Sequence, residues 1–242
     1  MTPEEFAAAL AAQGIELSTE QRDQFAEYYR YLISENEKMN LTAITAAPEV
    51  YLKHFYDSIM PLLPLKDLRG NALTLCDVGA GAGFPSLPMK ILNPQLRVTI
   101  VDSLQKRIDF LDRLCKRLHL EGVELVHDRA ETFGGKKSPY RERFDLVTAR
   151  AVAALPVLAE LCLPLVKVGG RFVALKATHA PNELAASTQA LTTLGGKLDQ
   201  DYLLHLPLAD EVRHILVIDK VAVTPKKYPR KPGTPAKQPI GG

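Results

Sequence analysis

Five groups of residues carry the polar chemistry of this chain. Asp77 ends an apolar run and leads into three glycines spaced two apart, Gly79, Gly81 and Gly83. A second apolar run ends in Asp102, 19 residues beyond Gly83, and is followed by Ser103 and Leu104. A third ends near His127 and leads to Ala130 and Glu131, and a fourth ends in Ala149-Arg150-Ala151. Upstream, His54, Asp57 and Ser58 stand at i, i+3 and i+4, so one helical face would carry all three. Glycines have no β-carbon, so the backbone can approach a ligand and take positive φ, and the start of the following helix offers free N–H groups. Strand, glycine turn and then Pro85 opening a helix to Leu92 therefore read as a nucleotide cradle. A dinucleotide fingerprint counted from Gly79 would need glycine at position 84, where Phe84 stands, which disfavours NAD. Asp102 lies close to the spacing at which a carboxylate receives ribose hydroxyls in nucleotide folds.

These residues need a scaffold that gathers strand ends. Short apolar runs at 74–78, 97–101, 123–127, 144–149 and 171–175 alternate with helical patterns at 85–92, 103–119 and about 154–166, which predicts βα units around a parallel sheet buried on both faces. Ligands of such a doubly wound α/β sheet sit at the carboxyl ends of the strands, so the ends of the second, third and fourth runs face one crevice. After a helix near 181–194, residues 200–206 and 213–220 read as a terminal antiparallel hairpin at one sheet edge. Upstream, residues 3–13 form a helix stopped by Gly14, and Ser18 with Gln21 make a capping box for a second, whose Phe25, Tyr28, Tyr29, Leu32 and Ile33 recur at helical spacing. A third helix is expected from Pro48 to about Met60, where His54 and Asp57 could meet one substrate or simply each other. Lys106, Arg107, Arg113, Lys116 and Arg117 read as a solvated helix face.

With 242 residues and 46% apolar content, the chain can bury a sizeable core as one domain with extensions. The expected units are an N-terminal helical extension over 1–65, an α/β domain over 66–221 and a basic tail over 222–242. The tail holds five cations (Lys226, Lys227, Arg230, Lys231, Lys237), five prolines and three glycines without an acid, and its composition predicts an extended, mobile segment. No apolar run nears the roughly 18 residues of a membrane span and the amino terminus has no signal-peptide pattern, so a cytoplasmic protein without membrane attachment is expected. Cys76, Cys115 and Cys162 are odd in number, widely spaced and in apolar surroundings, which suggests packed thiols and no metal site.

A strand-terminal acid two residues before G-x-G-x-G resembles the first motif of S-adenosylmethionine-dependent methyltransferases. The ordered set Asn40-Leu-Thr-Ala-Ile44, Lys53-His-Phe-Tyr-Asp-Ser58, Asp77-Val-Gly-Ala-Gly-Ala-Gly-Phe-Pro85, Asp102-Ser-Leu-Gln-Lys-Arg107, Ala149-Arg-Ala151 and Tyr228-Pro-Arg-Lys-Pro-Gly-Thr-Pro235 is more specific. It resembles the bacterial 16S rRNA guanine-N7 methyltransferases, the glucose-inhibited division protein B family. The resemblance implies a Rossmann-like sheet that binds S-adenosylmethionine through Gly79, Gly81, Phe84, Asp102, Ser103, Leu104, Ala130, Glu131 and Arg150. It also implies a monomer that acts on 16S rRNA or the small ribosomal subunit, with His54, Asp57, Arg150 and Lys176 as candidates on the substrate side and the tail lysines on RNA phosphates. Lys176 could touch RNA or merely cap its strand. Ala80 and Ser86 depart from the family pattern, where a small hydroxyl residue and a glycine are expected.

Overall fold

The computed structural model describes residues 1–241. Two helices, α1 (Pro3–Ala11) and α2 (Thr19–Met39), precede an irregular helical stretch: α3 (Ala47–Val50), a π turn (Tyr51–Tyr56), α4 (Asp57–Ile59) and a 3₁₀ turn (Met60–Leu62). The α/β part follows as β1 (Thr74–Val78), α5 (Ser86–Leu92), β2 (Arg97–Asp102), α6 (Gln105–Arg117), β3 (Val123–His127), α7 (Ala130–Phe133), β4 (Phe144–Arg150), α8 (Leu155–Cys162), β5 (Val166–Lys176) and α9 (Ala180–Thr193). The chain continues through β6 (Gly196–His205), β7 (Val212–Lys220) and α10 (Thr234–Lys237).

The seven strands lie in the order β3-β2-β1-β4-β5-β7-β6. Strands β1 to β5 run parallel, and β7 enters antiparallel between β5 and β6. Side chains alternate across the sheet with the period of two that a pleated strand imposes. Leu75, Ile100, Leu146, Val173, Ile215 and Val217 join one core with α2, α5 and α6, whereas Cys76, Val101, Val147, Ala174, Leu216 and Ile218 join the other with α8 and α9. The order reverses between β1 and β4, where neighbouring strand connections leave on opposite faces and open a crevice at the carboxyl ends.

The amino-terminal helices pack on the same core as the sheet. Phe6, Phe25 and Phe55 pack ring against ring, and the Tyr28 hydroxyl donates to the Ala82 carbonyl oxygen inside the glycine loop at 2.6 Å. The Ser18–Gln21 capping box forms, while on α2 Tyr31 rather than Tyr29 is buried. Two cations of the expected solvated face stay exposed and also bridge to α2: Arg113 reaches Tyr31 and Glu35, and Arg117 reaches Glu27, tying α6 to α2.

Two expectations change. The helix expected over 48–60 is continuous in path, but the wider π turn holds its centre, and it carries His54 toward the crevice at the end of β4. The segment expected as a mobile tail is packed through its described residues 222–241, with Gly242 outside them. Arg141 donates to the carbonyl oxygens of Thr224 and Tyr228 at 2.8 Å each, Arg230 pairs with Glu160, and Ile240 is buried. Proline-rich chain loses little backbone freedom on ordering, so a few charged anchors suffice to hold it.

Among the described residues, no helix is long and apolar enough to cross a membrane, and no group of His, Cys, Asp or Glu is placed to hold a metal ion. The three thiols are free and buried, and burial pushes that of Cys115 up to about 12.

Candidate active site

The loop after β1 is held from both sides. Gly79, Gly81 and Gly83 all have positive φ, of 73°, 60° and 100°. At Gly83 a β-carbon would lie 2.6 Å from the Tyr28 hydroxyl and 2.7 Å from Leu87, so the close packing of α2 and α5 on the loop requires glycine. Asp77 is fully buried behind the loop, where one carboxylate oxygen accepts the Ser86 N–H at 3.0 Å at the start of α5. Its other oxygen and the Ser86 hydroxyl have no partner among the described residues. Burial pushes the Asp77 carboxyl up to about 7.

Asp102, at the end of β2, joins this loop to the next: it accepts the Gly81 N–H at 3.3 Å, the Leu104 N–H at 3.0 Å and the Arg107 guanidinium at 3.4 Å. Beside it, Glu131 accepts the Gly233 N–H at 2.8 Å and Arg129 at 3.4 Å. Burial pushes the Glu131 carboxyl up, but the Gly233 and Glu131 backbone N–H groups and Arg129 outweigh it and hold the group below the usual carboxylate range.

A cavity of about 380 Å³ opens between these carboxylates. Gly79, Asp102, Ser103, Ala130 and Glu131 line it, with Val157, Leu161 and Pro235 as an apolar side. Gly81, Phe84 and Leu104 do not line it. Gly81 and Leu104 supply the amides that orient Asp102, and Phe84 is buried between Tyr28 and His54, with centroids at 5.3 and 4.6 Å. Two carboxylates that can receive hydroxyls, an apolar wall and a backbone loop fit a nucleoside without a phosphate, as S-adenosylmethionine is.

Arg150 lies across a partition, in a second cavity of about 560 Å³ with His54, Asp57 and Lys176. The partition is the turn Ala151–Ala153, which lines both cavities, and Ala151 takes φ 56° to make it. Asp57 is bridged by two guanidiniums, with Arg150 on one oxygen and Arg213 on the other, both at 2.7 Å. Arg150 also sits 5.1 Å above the Phe84 ring and donates to His54 Nδ1 at 3.4 Å. An arginine can only donate, so Nδ1 accepts and the imidazole proton stays on Nε2, which faces the Thr42 hydroxyl at 2.7 Å. Burial and then the nearby Arg150 charge lower His54 to about 4, so it is neutral at pH 7. Lys176 is tied to Glu183 at 2.7 Å and to the Ala153 carbonyl oxygen at 2.6 Å, fixing the far side of the partition.

Sequence reasoning missed Arg213 and the inward side of the tail. Arg213 starts β7, and only the antiparallel insertion of that strand beside β5, which pairs His214 with Lys176, brings it to the carboxyl end of the sheet. The tail residues Gly233, Pro235 and Ala236 line the first cavity, and their distance in sequence left no local signal.

A sheet in this order, with a glycine loop after β1 and acids at the end of β2 and in the first turn of α7, defines the fold of S-adenosylmethionine-dependent methyltransferases. Solved structures agree at the level of fold: TrmN from Thermus thermophilus (TM-score 0.51, 17% identity, 70% of this chain and 53% of that one) and an S-adenosylmethionine-dependent O-methyltransferase from Thermotoga maritima (TM-score 0.51, 16% identity, 80% and 72%). The family described as rRNA small subunit methyltransferase G matches residues 21–211. Proteins named ribosomal RNA small subunit methyltransferase G are 66% identical over 242 residues in Lacticaseibacillus paracasei, covering all of both chains, and 65% identical over 240 residues in Levilactobacillus brevis, covering 99% of each. The chain belongs to the rRNA small subunit methyltransferase G family.

Proposed function

We propose that this enzyme methylates N7 of a guanine in 16S rRNA, acting as a monomer on the rRNA or the small ribosomal subunit. One observation carries the choice of atom: the second cavity is rich in hydrogen-bond donors, and each of its carboxylates is paired with a cation. Both oxygens of Asp57 are taken by arginines, the Nδ1 lone pair of His54 is taken by Arg150, and Glu183 Oε2 is held by both Lys176 and the Leu155 N–H, at 2.7 Å each. Methylation of an exocyclic amine or a hydroxyl gives up a proton, whereas guanine N7 has an in-plane lone pair and no proton. The donor-rich wall, with Arg150 foremost, suits the O6 and N7 acceptor edge of guanine.

When bound, S-adenosylmethionine supplies an electrophilic methyl on sulfonium, so the methyl–sulfur bond breaks as the N7–carbon bond forms and positive charge passes to the purine. Gly79, Asp102, Ser103, Ala130 and Glu131 hold the cofactor in the first cavity, while Gly81, Phe84 and Leu104 shape it from behind. His54, Asp57, Arg150, Lys176 and Arg213 hold the base and its flanking phosphates in the second. The Ala151–Ala153 turn sets where the two meet, and such alignment can supply on the order of 7–11 kcal/mol of the barrier. The major-groove edge of A-form RNA is closed to side chains, so the target guanine is in a loop or splayed from its helix.

The test is transfer of labelled methyl from S-adenosylmethionine to small subunits lacking the modification, followed by nucleoside analysis. Label in 7-methylguanosine is the expected result, and label in any other nucleoside refutes the choice of atom.

A further inference from the structure

The basic tail has two sides of different character. Lys226, Lys227, Lys231 and Lys237 are exposed, whereas Pro235 is buried and, with Gly233 and Ala236, lines the cavity between Asp102 and Glu131. The Gly233 N–H is bonded to the Glu131 carboxylate. This side is anchored from outside the cavity. Glu160, on α8, is fully buried, and both its oxygens are engaged by Arg230: the Arg230 backbone N–H and Nε reach Oε1 at 2.7 and 2.9 Å, and Nη2 reaches Oε2 at 2.6 Å. Arg230 Nη2 also reaches the Gln238 carbonyl oxygen at 2.7 Å, closing the segment 230–238 on itself around α10. A buried carboxylate is retained only with such a partner, so the pair fixes where the segment lies.

We propose that the segment Gly233–Ala236 is a wall of the S-adenosylmethionine site and that Arg230, acting through Glu160, is its positioning residue. The tail thus belongs to the cofactor half of the enzyme through one side, whatever its lysines do on the other. The Gly233 amide fixes the direction of the Glu131 carboxylate, and Pro235 joins Val157 and Leu161 on the apolar side of the cavity. This inference rests on the cofactor reading of the first cavity and is independent of which base is methylated.

Binding of S-adenosylhomocysteine by titration calorimetry tests it on the full chain, without turnover and without RNA. Binding by the parent protein confirms the cofactor reading, and only the variants then bear on the tail. Arg230→Ala should weaken binding by about tenfold, equivalent to ~1.4 kcal/mol. The same variant should speed exchange of the Gly233 amide while the amides of the central strands keep their protection. Pro235→Asp, which leaves the Arg230–Glu160 anchor intact and places a charge in the wall, should weaken binding to a similar degree. Lys226→Ala/Lys231→Ala/Lys237→Ala, altering only the exposed side, should leave the affinity within twofold. The inference is overturned if Arg230→Ala frees the Gly233 amide yet binds as the parent does, if Pro235→Asp binds normally, or if the lysine variant loses as much affinity as Arg230→Ala.

Discussion

Asp57 is the residue whose removal separates the two cavities most sharply. It is 6% exposed, and each of its oxygens is held at 2.7 Å by a different guanidinium. Asp57→Asn keeps the shape and removes the charge between Arg150 and Arg213. Arg213 retains Glu211 at 3.0 Å, so the main loss falls on Arg150, whose other partners here are the Lys53 carbonyl oxygen at 3.2 Å and neutral His54. Removing one member of a buried pair costs ~3–5 kcal/mol. Because Arg213 keeps a carboxylate and the cavity admits solvent, we expect roughly 2–4 kcal/mol here. Urea unfolding at pH 7 reads this loss, and added phosphate should recover part of it by entering between the two guanidiniums. Arg213→Gln in the Asp57→Asn background should cost less than in the parent, because the repulsion it relieves is present only there. Affinity for S-adenosylhomocysteine should stay within about twofold, since Asp57 does not touch the first cavity. A variant within about 0.5 kcal/mol of the parent, or one that loses cofactor affinity as steeply as methyl transfer, would refute the assignment of Asp57 to a separate, charge-balanced substrate cavity.

Three further perturbations have defined signs. Asp77 has a folded pKa of about 7 against the usual 3.8, so the folded state keeps a proton the unfolded chain has lost, and stability falls as pH rises from about 4 to about 7. Asp77→Asn should therefore match the parent near pH 4 and exceed it at pH 8 by on the order of 3 kcal/mol, as read by urea unfolding at both pH values. His54 behaves oppositely: with a folded pKa of about 4 against the usual 6.5, it costs stability as pH falls through that interval. His54→Gln should flatten the acid limb of the stability curve by about 2 kcal/mol, and an unchanged limb would contradict the buried, neutral imidazole. Gly83→Ala should destabilise by on the order of 3 kcal/mol because its β-carbon meets Tyr28 and Leu87, whereas at Gly81 no atom lies within 4 Å and Gly81→Ala should cost only about 1 kcal/mol of backbone strain. Equal losses in denaturant midpoint would show that φ alone decides both positions.

The parallel half of the sheet was legible because a strand buried on both faces is apolar throughout and is punctuated by turns. The runs at 74–78 and 123–127 are β1 and β3 to the residue, and the acid ending β2 stands at the crevice. The capping box at Ser18 was legible for the same local reason. The π turn at Tyr51–Tyr56 was not, because its pattern of apolar residues differs little from that of an α-helix over so short a span. Arg230 looked like one more cation of a mobile tail, since Glu160 lies 70 residues away and composition carries no record of it. Arg113 and Arg117 lie on the exposed face expected of them, but their partners Tyr31, Glu35 and Glu27 were not legible because they belong to another helix. In the site, the acids of the first cavity follow strand ends and were visible, whereas Arg213 depends on a strand entering the sheet backwards.

That reversed strand also separates the supports of the two cavities. The first cavity hangs on β1, β2 and α7, while Arg213 reaches the second from the start of β7, backed by Glu211, where the hairpin closes through the Leu206 N–H to the Glu211 carbonyl oxygen at 2.9 Å. A hairpin tolerates changes of length and sequence at its tip that a glycine loop wedged under two helices does not. On the proposed assignment of the two cavities, target choice can drift at one margin of the sheet while the cofactor pocket stays fixed, and redesign toward a different RNA would begin with residues 206–213, leaving the centre of the fold untouched.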